Sequence, residues 1–358
     1  MTDADGLFES VSSKTVATDR LETHYLESGD PDGTPIVFLH GTTSDSRYWE
    51  RTLQSLPAEY RGLAPDRPGC GYSENEGIDA TEGMADLAAD VEAFRSALDL
   101  GEARPLHLVG WSFGGGIAMR YAIDYPGTVA SLTLLAPIPP QGFGGLRGRE
   151  AEPVWPDYAG SGGGLVDEEY VRRLRENGRS TESPLSPRNV LRELYCDPDT
   201  ELAPEREEVL LESMLRAEIG DDYYPGDAVE SDNWPGKAPG PRGERNAMSP
   251  KYCDLTPLAE IDPKPDVLWI RGSDDRIVSG ESLLDYGYLG QIGELDDWPG
   301  PDVFPPQPMI EQIQAFFEEY ETAGGSVEEA VFDGIGHTPQ IEAPERFRST
   351  FLGFIRDQ

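Results

Sequence analysis

The chain is poor in lysine, histidine and cysteine. Only Lys14, Lys237, Lys251 and Lys264 occur, and 29 basic residues face 67 Asp and Glu, a formal charge of −38. A field of that sign excludes partners built on phosphate backbones or anionic membrane surfaces, so neither nucleic acid nor membrane is expected as a partner. Cys70, Cys196 and Cys253 are the only cysteines and have no paired spacing. That excludes a disulfide framework or a zinc ribbon and fits a reduced compartment. No apolar run is long enough to span a bilayer. Met1 to Ser13 is polar and acidic, without the basic and apolar regions of a secretory signal, so a cytoplasmic protein is expected.

What the chain has in excess is acid. At 1 M salt the Debye length falls to about 3 Å, so carboxylates that repel in dilute buffer become tolerable and keep the surface hydrated. The composition therefore resembles that of proteins working in molar intracellular salt. Any single acidic cluster reads as solvated surface.

Short β-rich runs alternate with helical ones from the start: Leu21 to Ser28, Pro35 to Leu39, Tyr60 to Pro65, Leu106 to Val109 and Leu132 to Leu135, with a helix over Gly83 to Leu98. Near-continuous Val, Ile and Leu runs mean strands buried on both faces, hence an α/β fold with a mostly parallel, doubly wound sheet. After Pro137 the rhythm breaks. Residues 138–263 carry helical stretches at Asp167 to Glu176, Pro187 to Tyr195 and Pro204 to Ile219 and no buried strand run. The sheet pattern resumes at Val267 to Ile270. The expected organisation is a core in two parts, 1–137 and 264–358, with a helical cap at 138–263 and an irregular insertion at 280–307. The aromatics of that insertion, Tyr286, Tyr288 and Trp298, favour an ordered loop. A helix around Met309 to Tyr320, a strand around Val327 to Phe332 and a helix from Pro344 close the chain.

Chemistry concentrates at Gly110-Trp111-Ser112-Phe113-Gly114, between a strand-like run and a helix-like run. A strand, a sharp turn and a helix with serine at the apex would push the hydroxyl out of the sheet edge. A Cβ two residues before or after the serine would collide. Such a serine needs a base. His24 and His107 fall inside strands and read as structural. His40 precedes Gly41 in a turn beside the site. His337 lies in the glycine-bearing loop Asp333 to Pro339 after the last strand, which makes it the candidate base. The histidine needs an acid, and the turn after the resumed strand offers Asp274 and Asp275, either of which could serve. Two N–H donors are also required for an oxyanion: Phe113 supplies one, and the loop Leu39 to Thr43 supplies the other, from Thr42. The expected pocket candidates are His40, Trp111 and Phe113 beside the serine and the cap aromatics Trp155, Tyr158, Tyr195, Tyr223, Tyr224 and Trp234; for aromatics so placed core packing is the commoner role than substrate contact.

His40-Gly41, Asp66 to Ser73, the Ser112 elbow, Gly272 to Asp275 and Gly336-His337 together resemble the α/β-hydrolase fold superfamily, in its order of nucleophile, acid, histidine. The resemblance covers roughly residues 20–137 and 264–356. It implies that the acid is Asp275, three residues after the strand-end Gly272, and that no metal or organic cofactor is needed. Serine at the elbow argues against epoxide hydrolases and haloalkane dehalogenases, which place aspartate there. The expected activity is hydrolysis of a carboxylic ester of a small-molecule substrate through an acyl-enzyme. A prolyl-type aminopeptidase is the alternative, followed by a carbon–carbon-bond hydrolase and by a ligand-binding module that has lost turnover.

Overall fold

The computed structural model describes residues 7–101 and 105–356. The first six residues of the segment read for a signal lie outside the described residues. Eight strands build the main sheet: β1 Ser12–Ala17, β2 Glu22–Gly29, β3 Thr34–Leu39, β4 Tyr60–Pro65, β5 Leu106–Trp111, β6 Val129–Leu135, β7 Asp266–Gly272 and β8 Val327–Phe332. Their spatial order is β1-β2-β4-β3-β5-β6-β7-β8. β2 runs antiparallel to both β1 and β4, and every pairing from β4 to β8 is parallel. The apolar runs of β3, β5 and β6 are buried almost throughout, as strands covered on both faces must be. β1 was not expected. Its sequence, Ser-Ser-Lys-Thr-Val-Ala, is almost wholly exposed, so an edge strand carries no apolar alternation to betray it.

Helices α1 (Ala85–Ala97) and α2 (Phe113–Asp124) pack against each other on one face of the sheet. Alternation along β3 sorts the two layers: Leu39 lines a small pocket together with Ile117 and Phe94 of these helices, whereas the Phe38 ring packs on those of Trp49 and Phe351 on the opposite face. Fully burying each such aromatic contributes about 1.5–3 kcal/mol.

Between β6 and β7 the chain leaves the sheet and forms the cap, with helices α3 (Glu168–Arg175) and α4 (Pro204–Leu215). The helix expected to reach Ile219 ends at Leu215, because Ile219–Gly220 instead pairs with Tyr224–Pro225. Two further short pairings, Leu146–Arg147 with Glu152–Pro153 and Ala228–Glu230 with Lys237–Pro239, add β structure the sequence pattern did not announce. These pieces are two or three residues long and too short for a period to show. The cap sits on the carboxyl ends of the strands. Ser213 Oγ accepts from Asp45 N–H at 2.9 Å, Gly69 C=O accepts from Glu218 N–H at 2.8 Å, and Asp222 C=O accepts from Ile78 N–H at 2.8 Å. The segment 280–307 holds a short helix, Tyr286–Gln291, and Trp234 of the cap packs its ring on Tyr286 and Phe304. Helices α5 (Met309–Thr322) and α6 (Pro344–Arg356) complete the layers.

β3 and β5 are neighbours whose onward connections diverge, to β4 on one side and β6 on the other. In an open α/β sheet a crevice opens at such a point, beyond the strands' carboxyl ends. Leu39 is registered opposite Gly110, which sets the loop after β3 directly across from Ser112.

Candidate active site

Ser112 sits between β5 and α2 with φ +57° and ψ −119°, a left-handed conformation that costs a residue with a Cβ about 1–3 kcal/mol. The strain is held by the surroundings. Its N–H donates to Leu135 C=O at 2.9 Å, and its C=O accepts from Gly115 N–H at 2.9 Å. The flanking glycines are sterically required: a Cβ on Gly110 would lie 2.3 Å from Gly114 O, and one on Gly114 would lie 2.5 Å from the carbonyls of Leu39 and His40. Across the crevice a Cβ on Gly41 would meet the Trp111 ring at 3.0 Å and Ser112 Cβ at 3.2 Å. The loop after β3 is therefore in contact with the elbow. Among the described residues neither the Phe113 nor the Thr42 N–H is taken by another acceptor.

His40 shapes that loop from beneath. It is fully buried, Nδ1 lies 3.0 Å from Gly41 O and 3.1 Å from Ser44 Oγ, and Nε2 accepts from Arg67 N–H at 3.1 Å. An acceptor role at Nε2 requires the neutral ring with its proton on Nδ1. Burial, with the Arg67 charge adding to it, pushes the imidazole down to about 3. His40 thus braces the loop after β3 through these hydrogen bonds. Arg67, buried beside it, donates to Gly41 O at 2.7 Å and to Glu244 Oε2 of the cap at 3.1 Å, with its guanidinium 4.9 Å from the Phe113 ring centre.

β7 and β8 end in register at Gly272 and Phe332, so the turns that follow emerge side by side. The structure brings Asp275 and His337 together there: His337 Nδ1 lies 2.8 Å from Asp275 Oδ2. Asp275 Oδ1 accepts from the N–H groups of Ile277 and Val278 at 2.7 and 3.0 Å, which fixes the carboxylate. Ser112, Asp275 and His337 are 6%, 6% and 1% exposed. Asp274 points elsewhere, accepting from Ser273 Oγ at 2.7 Å in an exposed turn.

Trp111, a pocket candidate, braces the histidine loop. Its indole N–H donates to His337 C=O at 2.7 Å, and its ring stacks on Tyr48 with centres 5.1 Å apart. Tyr224 is buried against Tyr170, the Tyr223 ring closes over Gly69, and Trp155 is half-buried in the cap. Among the described residues none of these three makes a ring contact with His337 or Trp111. Tyr195, one of the cap aromatics, does: its ring centre is 6.3 Å from that of His337 and 5.9 Å from that of Trp111. Its hydroxyl donates to Thr42 C=O at 3.1 Å and lies 2.6 Å from Thr43 Oγ1, while its own carbonyl accepts from His337 N–H at 3.1 Å. One residue thereby ties the loop after β3 to the histidine loop. Sequence reasoning assigned no role to Arg67, Glu244 or Arg245. The two cap residues sit in Gly-Glu-Arg-Asn, which has no motif spacing. His24 and His107 are structural, as expected, with His24 Nδ1 2.6 Å from Asp66 Oδ2 and His107 Nδ1 2.7 Å from Ser131 Oγ. Among the described residues no three His, Cys, Asp or Glu converge as a metal site would, and no helix is long and apolar enough to cross a membrane.

A match to the family described as alpha/beta hydrolase fold extends over residues 34–289, from β3 through the elbow and cap into the segment after β7. The chain belongs to the α/β-hydrolase fold family. Proline iminopeptidase of Neisseria meningitidis is 30% identical over 162 residues, 44% of this chain and 49% of that protein. Non-heme chloroperoxidase of Streptomyces lividans is 40% identical over 129 residues, 35% of this chain and 45% of that protein. The chain thus spans about half the length of these curated relatives. Among solved structures of the α/β-hydrolase fold, an esterase from Rhodococcus sp. ECU1013 superposes with a TM-score of 0.57 at 22% identity, over 97% of this chain and 98% of that one. An epoxide hydrolase gives 0.59 at 17% identity, over 97% and 99%. At such identities the likeness carries the fold.

Proposed function

We propose that this α/β-hydrolase cleaves carboxylic esters through Ser112, His337 and Asp275. The observation that carries the reading is the buried His337–Asp275 pair, 2.8 Å apart, at the same sheet end as a serine held at positive φ. With Nδ1 bound to Asp275, Nε2 is the nitrogen available to take the Ser112 proton. Ser112 Oγ then attacks the acyl carbon. The oxyanion is received by the N–H groups of Phe113 and Thr42, and protonated His337 passes its proton to the departing alcohol. Water, deprotonated by His337, releases the acid from the acyl-enzyme. Asp275 orients the imidazole through Nδ1 and stabilises the imidazolium.

The test is hydrolysis of p-nitrophenyl acetate, butyrate and octanoate beside proline p-nitroanilide, in molar KCl, with Ser112→Ala as the blank. Serine-dependent ester turnover is expected, and Ser112→Ala lowers kcat by about 10⁶. Preference for the prolyl amide, the chemistry named for the Neisseria relative, would move the assignment to a peptidase. Silence on all four would sink the ester reading for these acyl groups.

A further inference from the structure

Arg245, in the short cap helix Glu244–Ala247, is an exception in this chain. With 67 acidic residues against 29 basic ones, a buried arginine has carboxylates in abundance to choose from. Arg67, likewise buried, takes Glu244, and the half-buried Arg47, Arg188 and Arg206 take Glu50, Glu207 with Glu208, and Glu50 in turn. Arg245 is 9% exposed and, among the described residues, has no carboxylate within ion-pair distance. Its Nη1 reaches Met248 Sδ at 3.7 Å, its guanidinium lies 4.9 Å from the Phe143 ring centre, and its Nε is buried with no partner. Thioether sulfur is a weak acceptor and an aromatic face satisfies no N–H, so the planar fork retains unmet donors.

Its place in the fold is beside the chemistry. The adjacent Glu244 is bonded to Arg67, Arg67 is bonded to Gly41 O, and Gly41 touches the elbow at Ser112. The Arg245 charge also reaches the Glu244 carboxyl and the phenols of Tyr195 and Tyr224, opposing the upward push of burial in each, and Tyr195 is one of the two rings packed on His337 among the described residues. Glu244, the nearest carboxylate in sequence, gives Oε2 to Arg67, while its buried Oε1 has no hydrogen-bond partner among the described residues and does not reach the Arg245 fork.

We infer that the substrate of this site carries a free carboxylate, which Arg245 binds. The inference rests on the ester-hydrolase reading and names its substrate class: an ester bearing a second, ionised carboxyl group, such as a half-ester of a dicarboxylic acid. A guanidinium fork matches a carboxylate bidentately, and a preformed buried cation needs no reorganisation to receive it. The same cation disfavours a substrate that presents an ammonium group.

Two measurements test this. In the first, kcat/KM is compared for p-nitrophenyl hemiglutarate, 4-acetoxybenzoate and the uncharged p-nitrophenyl butyrate. The expected result is a preference for one of the anionic esters, by about 10- to 100-fold, the strength of a charge-assisted hydrogen bond. Arg245→Met erases that ratio and Arg245→Lys restores part of it. A wild-type enzyme that favours butyrate over both anions overturns the inference while leaving ester hydrolysis standing. So does an Arg245→Met enzyme that keeps the wild-type ratio. The second measurement is calorimetric binding of glutarate and glutaramide to Ser112→Ala protein, which reads Arg245 without turnover. Glutarate binding at least tenfold tighter than glutaramide is expected, and equal binding overturns the inference even if every ester is inert. Should Arg245→Met fail to fold, the wild-type ratio, the Arg245→Lys variant and the glutarate comparison still decide.

Discussion

Two sets of serine, histidine and aspartate stand in this molecule, and the reaction proposed above uses only one of them. At the sheet edge, Ser13 Oγ lies 2.8 Å from His24 Nε2, and His24 Nδ1 lies 2.6 Å from Asp66 Oδ2, beside a cavity of about 410 Å³. At the switch point stand Ser112, His337 and Asp275. The residue types are the same and the backbones are not. Ser13 lies in the β1–β2 ladder opposite Leu26, with no helix starting beside it. Ser112 is held at positive φ at the head of α2, and among the described residues the N–H groups of Phe113 and Thr42 have no acceptor. Asp66 also accepts from Ser46 N–H at 2.7 Å and Tyr72 N–H at 3.0 Å, so it pins two loops together. Burial alone would raise its carboxyl, but the hydrogen bond and charge of His24 hold it below the ordinary value. The lesson is that a relay of hydrogen bonds is ordinary structure until a strained nucleophile and spare donors are added.

The largest effect should separate the two histidines. His337→Ala is expected to lower kcat by about 10⁶, as loss of one member of a concerted group does. His24→Gln should stay within about threefold of wild type while losing about 1–3 kcal/mol of stability, the cost of an unmade buried hydrogen bond. Ester kinetics and urea unfolding on both variants check this, and comparable losses of turnover would erase the distinction.

A third buried imidazole extends the comparison to pH. His40 is held neutral down to about 3 in the fold, whereas the unfolded chain takes the proton near 6.5. The unfolded state therefore binds more protons between those values, so this group's contribution to stability is full above about pH 6.5. It is lost as pH falls, at about 1.4 kcal/mol per unit. His40→Gln should flatten the pH dependence of urea-unfolding free energy by one proton across that window. An unchanged slope would mean that His40 is charged in the fold.

The smallest effect concerns the tie between the two loops. Tyr195→Phe removes the hydroxyl that bridges Thr42 and Thr43 but keeps the ring on His337. A fall in kcat of about tenfold with KM nearly unchanged is expected, because about 1.4 kcal/mol of orientation is lost in the transition state. A rise in KM alone would make Tyr195 a binding residue.

Much of this was legible in the residues. The glycines around Ser112 and the loop of His337 report local backbone demands, and buried strands write themselves as Val, Ile and Leu runs. β1 escaped because an exposed edge needs no apolar face, and the short cap strands escaped because two residues show no period. The turn at Asp274 and Asp275 was ambiguous on its own residues. In the fold, the N–H groups of Ile277 and Val278 hold Asp275 toward His337.

The sequence by itself determined the sheet, the elbow and the small set of groups able to act there, since each is encoded within a few residues by steric and hydrophobic constraint. Tertiary structure alone decided that Arg67 reaches Glu244, that Tyr195 spans two loops, and that Arg245, among the described residues, has no carboxylate within ion-pair distance. These contacts join residues more than 140 positions apart or depend on what fails to arrive. No local pattern records either, because side-chain pairing is set by where the folded backbone places each partner.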